Sequence, residues 1–276
     1  MDVRFWGVRG SVASSGSNVA KIGGNTSCLE LEAQGHRLIF DAGTGLRSLG
    51  DSLIMSPPVK ATMLFSHLHW DHVQGFPFFT PAFTPTTELT LYGPGADGEQ
   101  QLQSVLRMQM DPPNFPVPLS AMRAKMVFRS ALPGRVIETG PFRITPIDLP
   151  HPQGCIGYLV EADGCRFAYC TDVEMTLETM RTDVGDMLTG VDALVLDAQY
   201  TRDEYEGRVG PPKKGWGHST NVDAARIAKS VGAGRLFLFH HDPGHVDSQV
   251  EDMAEEARHY FAASEPAREN KRITLG

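Results

Sequence analysis

The sequence lacks the features that mark several classes of protein. No apolar run in its 276 residues approaches the roughly 18 to 20 residues that cross a bilayer. The first residues, Met1–Trp6, lack the basic end and apolar stretch of a signal peptide. We therefore expect a cytoplasmic protein with no membrane contact. Internal repeats, low-complexity tracts and long blocks of like charge are also absent, which favours a single domain over residues 1–276.

Cysteine and positive charge are both scarce. The four cysteines show no Cys-x-x-Cys spacing and lie in apolar segments, so we expect buried, reduced thiols rather than disulfides or a zinc knuckle. Lysine and arginine number 25 against 33 aspartate and glutamate residues, a net charge of −8. This balance argues against attraction of a nucleic-acid backbone by the whole surface, although a local basic patch is compatible with it.

Short β-branched or alternating runs predict many strands and few helices. The strand candidates are Val3–Val8, Cys28–Ala33, Arg37–Asp41, Ala61–Phe65, Leu89–Tyr92, Lys125–Phe128, Phe142–Asp148, Gly157–Ala162, Arg166–Cys170, Ala193–Asp197 and Arg235–Phe239. The helix candidates are Gly98–Met108, Val173–Arg181, Asn221–Val231 and Asp247–Tyr260. Two sheets packed face to face, with helices outside, would bury these elements. The sequence therefore predicts an α+β fold of four layers.

Two proline-rich segments with aromatic residues interrupt this pattern. Phe76–Pro85 and Asp111–Pro118 hold too many prolines for interior strands or helices, so we expect loops. Apolar loops need a surface to lie against. They either pack over the edge of the core or line the mouth of a pocket.

The histidines are clustered, and the first cluster directly follows a candidate strand. His67, His69 and His72 lie within six residues of one another, together with the carboxylate of Asp71. Neutral imidazole and carboxylate are ligands that zinc, iron and manganese accept. An H-x-H-x-D-H segment at the end of a strand can turn all four side chains to one point. Two metals need more donors than one loop supplies, so further ligands must come from elsewhere.

Three further strand ends offer such donors. They are His151, Asp172 and the pair His240 and His241. Taken alone, His151 reads equally well as an ordinary loop histidine, and Asp172 reads more readily as a helix cap. Their combination with the first cluster favours metal ligands.

With these residues the sequence resembles the metallo-β-lactamase superfamily of metal-dependent hydrolases, over nearly the whole chain. The resemblance is carried by Gly7–Gly10, Gly23–Cys28, Phe40–Gly45, the H-x-H-x-D-H run and the three later ligand positions. It is strongest to the phosphodiesterase branch, which includes ribonuclease Z and small cyclic-nucleotide or phosphonate-pathway phosphodiesterases. The segments that favour this branch are Leu91–Gly95, Gly217–Thr220 and Leu238–His240.

The resemblance implies an αβ/βα sandwich that holds two divalent metal ions, most often zinc and sometimes manganese or iron. The first ion would be bound by His67, His69 and His151, the second by Asp71, His72 and His240, with Asp172 as a bridge. A metal-bound hydroxide would then attack the substrate. The family pattern, an apolar strand and a small residue before the histidine, favours His240 as the last ligand. His241 follows at once and would point to the opposite face if the strand continues.

The resemblance also implies a catalytic role for His218, besides that of Asp71 at the metals. In similar enzymes the corresponding histidine stabilises or protonates the leaving oxygen, and a helix start favours an anion there. The alternative is a histidine that merely flanks a helix cap. We expect Asp41 and Asp197 to support the site by hydrogen bonds, with Asp197 orienting His218. The nearby cations are Arg202, Lys213 and Lys214, which either touch a substrate phosphate or form a solvated charge run.

Together these features predict a dinuclear metal hydrolase acting on a small phosphodiester such as a cyclic nucleotide. A nucleic-acid polymer is not expected, because the chain is acidic and lacks a long basic insertion like the arm with which ribonuclease Z grips transfer RNA. Two alternatives stay open: a lactone, ester or thioester hydrolase on the same site, and a non-catalytic metal-binding sensory module. The sequence leaves the metal's identity and the oligomeric state open and is compatible with a homodimer.

Overall fold

The computed structural model describes residues 1 to 276 and contains two sheets of seven strands each. The first sheet is formed by β1 (Asp2–Gly7), β2 (Cys28–Ala33), β3 (His36–Phe40), β4 (Lys60–Leu64), β5 (Glu88–Pro94), β6 (Lys125–Ala131) and β14 (Arg272–Thr274). Their spatial order is β14-β1-β2-β3-β4-β5-β6. Neighbours pair antiparallel from β14 to β3 and parallel from β3 to β6.

The second sheet mirrors this arrangement. Its strands are β7 (Ile137–Thr139), β8 (Phe142–Leu149), β9 (Cys155–Ala162), β10 (Cys165–Cys170), β11 (Ala193–Asp197), β12 (Leu236–Phe239) and β13 (Ser264–Pro266), in the spatial order β13-β12-β11-β10-β9-β8-β7. Pairing is antiparallel from β7 to β10 and parallel from β10 to β13. In each sheet the parallel strands therefore end at one common edge.

Six helices lie outside the sheets. They are α1 (Gly45–Leu53), α2 (Gly98–Met110), α3 (Thr182–Leu188), α4 (Arg202–Tyr205), α5 (Asn221–Ser230) and α6 (Asp247–Tyr260). Helices α1 and α2 contact the first sheet, and α5 and α6 contact the second. None of the six combines the length and apolarity that a membrane-spanning helix requires.

Three apolar clusters hold these layers together. The central cluster lies between the sheets and joins Phe5 and Phe40 of the first to Phe167 and Phe237 of the second. The other two lie between each sheet and its helices. Full burial of one such phenylalanine contributes about 1.5–3 kcal/mol. The layers confirm the predicted α+β sandwich of four layers, and all four cysteines are buried and free, as expected.

Three candidate site residues follow strands with a left-handed backbone. Asp41 after β3, Asp172 after β10 and His240 after β12 have φ values of 57°, 53° and 62°. Residues other than glycine rarely adopt this conformation, and it turns the chain sharply at the end of a strand. The turn directs each side chain into the space between the two sheet edges. Strained backbone of this kind is concentrated at functional sites.

The local predictions fail at one helix and at the smallest elements. The helix predicted over Val173–Arg181 is wrong, because the backbone N–H groups of Thr176 and Thr179 bond to each other's hydroxyl oxygens and close a turn. The real helix, α3, begins at Thr182.

Helices α1 and α4 and the three-residue strands are absent from the predicted elements. Helix α1 has buried leucines at helical spacing, Leu46, Leu49 and Leu53, but its two glycines weaken that signal. Helix α4 and the short strands span too few residues for a period to be recognised.

The two proline-rich segments are loops, and they differ in burial. Phe76, Phe79 and Ala82 of the first are fully buried, so this segment packs over the edge of the core. The second is largely exposed. Its Phe115 meets Phe78 edge to face, with ring centroids 5.6 Å apart.

Candidate metal centre

The loop after β4 brings four donor side chains together. His69 precedes a single 3₁₀ turn over Trp70–His72, closed by a hydrogen bond from the His72 backbone N–H to the His69 carbonyl. The turn sends Asp71 and His72 back into the protein, where both are buried. It sends Trp70 outward, 74% exposed. The H-x-H-x-D-H segment thus converges as its spacing predicts.

Asp172 stands at the middle of this cluster and faces two groups of histidines. Its Oδ1 lies 3.6 Å from Nε2 of His67 and 3.9 Å from Nε2 of His151. Its Oδ2 lies 3.2 Å from Nε2 of His72 and 3.3 Å from Nε2 of His240. The two oxygens therefore point to separate sets of donors.

The remaining predicted ligands complete these two sets. Nδ1 of His69 lies 3.3 Å from Nε2 of His151, and His67 belongs to the same cluster. Oδ2 of Asp71 lies 3.2 Å from Nε2 of His240 and 3.3 Å from Nε2 of His72. The structure thus brings all seven predicted side chains together, in the two groups that the sequence analysis named.

The donor atoms fit cations and little else. Nδ1 of His72 is bonded to Asp41 at 2.9 Å and Nδ1 of His240 to Gln199 at 3.2 Å, so both rings turn Nε2 toward the centre, with the two Nε2 atoms 3.3 Å apart. A bound cation would take the place of the proton on Nε2 of His72. Nε2 of His67 is buried with no hydrogen-bond partner. An unpaired buried polar atom costs about 1–3 kcal/mol, a cost that a bound cation would remove. Imidazole and carboxylate donors suit zinc, manganese and iron.

Charge at the site also favours a cation. Burial alone would lower the pKa of His72, but the carboxylates of Asp172, Asp71 and Asp41 raise the pKa of that ring well above its usual range. Burial and the neighbouring His72 hold the pKa of His67 well below its usual range. The second set therefore attracts positive charge, while the first keeps a neutral imidazole with a free lone pair.

The two adjacent histidines at the end of β12 have different surroundings. His240 faces the donors, whereas the buried Nε2–H of His241 donates to the carbonyl of Ala267 at 3.0 Å. Burial lowers the pKa of His241 to about 3. His241 is therefore a neutral structural residue outside the donor cluster, and the preference for His240 agrees with its position.

Asp41 supports the first loop, as the sequence analysis expects. Its carboxylate accepts hydrogen bonds from the backbone N–H of Ser66 at 2.8 Å, from Nδ1 of His72 at 2.9 Å and from the hydroxyl of Tyr169 at 2.7 Å. These bonds fix the ring orientation of His72 and leave its Nε2 free for the centre.

His218 lies against the donor cluster and is held by Asp197. Its ring stacks on His240 with centroids 5.0 Å apart and lies 5.3 Å from the ring of His151. Nδ1 of His218 is 2.7 Å from Oδ2 of Asp197. Burial would lower the pKa of His218, but the Asp197 carboxylate outweighs it and raises the pKa to about 9. Asp197 thus orients His218 and favours its protonated form.

Sequence reasoning missed two residues that link Asp71 to His240. The backbone N–H of Ser11 donates to Oδ2 of Asp71 at 2.7 Å, and the side-chain amide of Gln199 donates to the Ser11 hydroxyl at 3.3 Å. Oε1 of Gln199 in turn accepts from Nδ1 of His240. Ser11 has a left-handed φ of 60°. No sequence signal connects these positions, because the contacts depend on how distant loops meet.

Gly10 shows how closely the chain approaches His240. A Cβ atom at this position would lie 2.4 Å from the His240 ring, so only glycine fits. The Gly7–Gly10 segment, noted for its resemblance to the superfamily, therefore has a steric reason at the site.

A family model described as the β-lactamase superfamily domain matches residues 36–241, from the start of β3 to the end of the donor cluster. The chain belongs to this superfamily. The match confirms the predicted family, the fold and the prediction of an enzyme of its hydrolase class.

Similar proteins align with the whole length of the chain. Ribonuclease BN of Cronobacter sakazakii is 23% identical, with 100% of each chain aligned. The crystal structure of the human tRNase Z, short form, has a TM-score of 0.69 at 20% identity and covers 100% of each chain. The Zn²⁺-bound PqqB of Methylobacterium extorquens has a TM-score of 0.74 at 16% identity, again over 100% of each chain. The two structures show the same fold.

Proposed function

We propose that the protein is a dinuclear metal-dependent phosphodiesterase. The position of Asp172 carries this proposal, because its two carboxylate oxygens face two separate sets of donors. His67, His69 and His151 would hold one divalent ion, and Asp71, His72 and His240 the other. Zinc is our first choice, with manganese and iron as alternatives that the same donors accept.

The protein's own groups would prepare the site for diester hydrolysis. Two adjacent divalent ions lower the pKa of water and neutralise charge on a phosphoryl oxygen. Asp41 and Ser66 hold the first loop in place, so that its donors need no rearrangement. Five of the seven donors are buried, which limits the access of bulk water to them. His69 and His151 are partly exposed and leave the site open on their side.

His218 would donate a proton to the leaving oxygen. Because its Nδ1 is engaged by Asp197, the proton for transfer is on Nε2. The ring lies directly against two proposed ligands, His151 and His240, so a phosphoryl group held by the donors would be its neighbour. General acids of this kind contribute roughly 10²–10⁴-fold to turnover.

The names of the relatives bear on the substrate. Ribonuclease BN and tRNase Z are named for nucleic-acid substrates, which supports a phosphodiester and weighs against the expectation that a polymer is excluded. A cavity of about 480 Å³ opens beside His67 and His69 and is also lined by Gln101 and Gln153. Its volume lies within the range of pockets that bind small molecules. We therefore propose a nucleotide diester, free or within a strand.

A substrate panel tests the proposal. The zinc-loaded or manganese-loaded protein is assayed with bis(p-nitrophenyl) phosphate, cyclic nucleotides, a precursor transfer RNA, a lactone and a thioester. We expect turnover of at least one diester, abolished by His72→Ala but retained by His259→Ala, which changes a surface histidine of α6. Turnover of only the lactone or thioester would contradict the phosphodiesterase and favour a carboxylic-ester hydrolase.

A further inference from the structure

Tyr200, which precedes α4, and the loop between α4 and α5 place aromatic and cationic side chains next to His218. The Tyr200 ring meets the ring of His218 edge to face, with centroids 5.8 Å apart. Nζ of Lys213 lies 5.5 Å from the Tyr200 ring centroid and 4.0 Å from that of Trp216. These contacts form a continuous line of side chains from His218 outward to Trp216.

The loop is fastened to the metal centre. Oε1 of Glu174 accepts hydrogen bonds from the hydroxyl of Tyr205 at 2.6 Å and from the backbone N–H of Gly215 at 2.9 Å. Oε2 of Glu174 accepts a hydrogen bond from the backbone N–H of Gly217 at 2.9 Å. The Gly217 carbonyl accepts from Nδ1 of His151 at 2.9 Å. Gly217 has φ +90°, and a Cβ atom there would lie 2.4 Å from Nδ1 of His151. The loop is therefore held in one position relative to a proposed ligand.

The lysines of this loop carry unpaired charge. Arg202 forms an ion pair with Asp223 at 3.0 Å, and Arg208 pairs with Asp203 and Glu206. Lys213 and Lys214, by contrast, are not ion-paired, although acidic residues outnumber basic ones by 33 to 25. Lys214 lines a cavity of about 290 Å³ that also contains His151 and Thr176. Lysine charge without an ion-pair partner is thus present beside the proposed ligand His151.

Trp216 is 52% exposed. An exposed aromatic ring beside unpaired cations is the arrangement with which proteins bind single-stranded nucleic acid, because bases stack on the ring while phosphates meet the cations. Glu174 also lines the cavity, but its oxygens are occupied by the loop's own donors.

We propose that Lys213, Lys214 and Trp216 form a subsite for the nucleotide adjacent to the scissile phosphate. Trp216 stacks on the base, and the two lysines bind the neighbouring phosphate. This inference rests on the proposed phosphodiesterase activity and extends it, since it assigns the substrate to diesters that carry a base rather than to diesters in general.

The test compares a substrate with a base and one without. Values of kcat/KM are measured for a single-stranded oligoribonucleotide of mixed sequence and for bis(p-nitrophenyl) phosphate. In Trp216→Ala we expect the ratio of the two values to fall about tenfold, the scale of one lost base stack. In the double variant Lys213→Ala/Lys214→Ala, one phosphate contact is lost, so the slope of log kcat/KM for the oligonucleotide against log salt should become shallower by about 0.7.

A second cation–aromatic pair provides the matched control. Arg226 lies 5.0 Å from the Tyr260 ring on the surface of α5 and α6. Arg226→Ala and Tyr260→Ala should leave the substrate ratio at the wild-type value. A proportional loss for both substrates in Trp216→Ala, or no loss in either, would overturn the subsite and leave the phosphodiesterase standing.

A binding measurement tests the proposed subsite independently of the proposed phosphodiesterase activity. If the wild-type protein hydrolyses no diester, the proposed activity fails. Fluorescence anisotropy of the labelled oligonucleotide then decides the subsite alone. Binding that Trp216→Ala weakens about tenfold would support it, and wild-type binding that Trp216→Ala does not weaken, or no binding, would overturn it.

Discussion

At the scale of single residues, the centre depends on which nitrogen of each imidazole is free. Asp41 and Gln199 accept from Nδ1 of His72 and His240, and both rings therefore turn Nε2 toward Asp172. A similar bond between Asp197 and His218 serves a different purpose, because it leaves that ring able to donate a proton. In the proposed mechanism, the same interaction would prepare metal ligands in one place and a proton donor in another.

The role of His218 predicts a separation of activity from metal binding. His218→Ala should lower kcat by roughly 10²–10⁴-fold, the loss typical of a general acid. Metal per chain should stay at the wild-type value, since none of the seven donors is changed. Unchanged turnover in a fully loaded variant would show that His218 is no acid, and His259→Ala on the exposed surface of α6 is the control.

The link from Asp71 through Ser11 and Gln199 to His240 predicts an effect on metal affinity. Gln199→Leu removes the acceptor of His240 Nδ1 and the donor to Ser11, so the second set of donors loses its fixed orientation. We expect one of two binding steps in a zinc titration to weaken by roughly 10–100-fold.

The control for this variant is Gln103→Leu, on the exposed side of α2. It should leave both binding steps unchanged. Equal titration curves for Gln199→Leu and the wild type would mean that this link does not position the ligands.

At the scale of elements, the predicted donors could be recognised because each follows the end of a strand, whether that strand is paired parallel or, like β8, antiparallel. The H-x-H-x-D-H run is contiguous, and His151, Asp172 and His240 each follow a run that is apolar enough to be recognised as a strand. The contacts of Ser11 and the turn at Thr176 depend instead on positions that pattern cannot relate. The local sequence pattern predicts which residues follow the end of a strand. Tertiary packing determines which residues from other segments contact them.

His241, which lies after the end of β12, predicts how the free energy of unfolding depends on pH. His241 has a pKa of about 3 in the folded protein, below the value of about 6.5 expected when unfolded. Between these values the unfolded chain binds the proton and the folded chain does not. The free energy of unfolding should therefore fall as pH falls below 6.5, by at most about 1.4 kcal/mol per pH unit from this residue.

His241→Gln isolates this contribution. A glutamine amide can still donate to the Ala267 carbonyl but does not titrate in this range. In urea denaturation of the metal-depleted protein between pH 7 and 5, the variant should lose less stability with acid than the wild type. His259→Gln should behave as the wild type, and parallel curves for His241→Gln and the wild type would refute the assignment.

At the scale of the whole molecule, the proposed ions join the two halves of the sandwich. The loop after β4 belongs to the first sheet, whereas His151, Asp172 and His240 follow strands of the second. Ions held between them would act as a clamp across the sheet edges. That residues 1–276 form a single domain stays a prediction.

This clamp predicts that metal stabilises the fold. A ligand that binds only the folded state adds about 2.7 kcal/mol at a free concentration of 100 times its Kd. Chelation should therefore lower the midpoint of thermal unfolding, and added zinc or manganese should restore it. In Asp172→Ala, which removes the shared carboxylate, the restoration should be smaller. Identical midpoints with and without metal would show that the ions, if bound, do not join the sheets.

Elemental analysis of metal per chain tests the central claim most directly. The purified protein is stripped with chelator, incubated with zinc or manganese, freed of excess ion and analysed for metal and protein together. We predict two ions per chain for the wild type and at most one for Asp172→Ala. A wild-type protein with native circular dichroism that retains one ion or none would contradict a dinuclear centre.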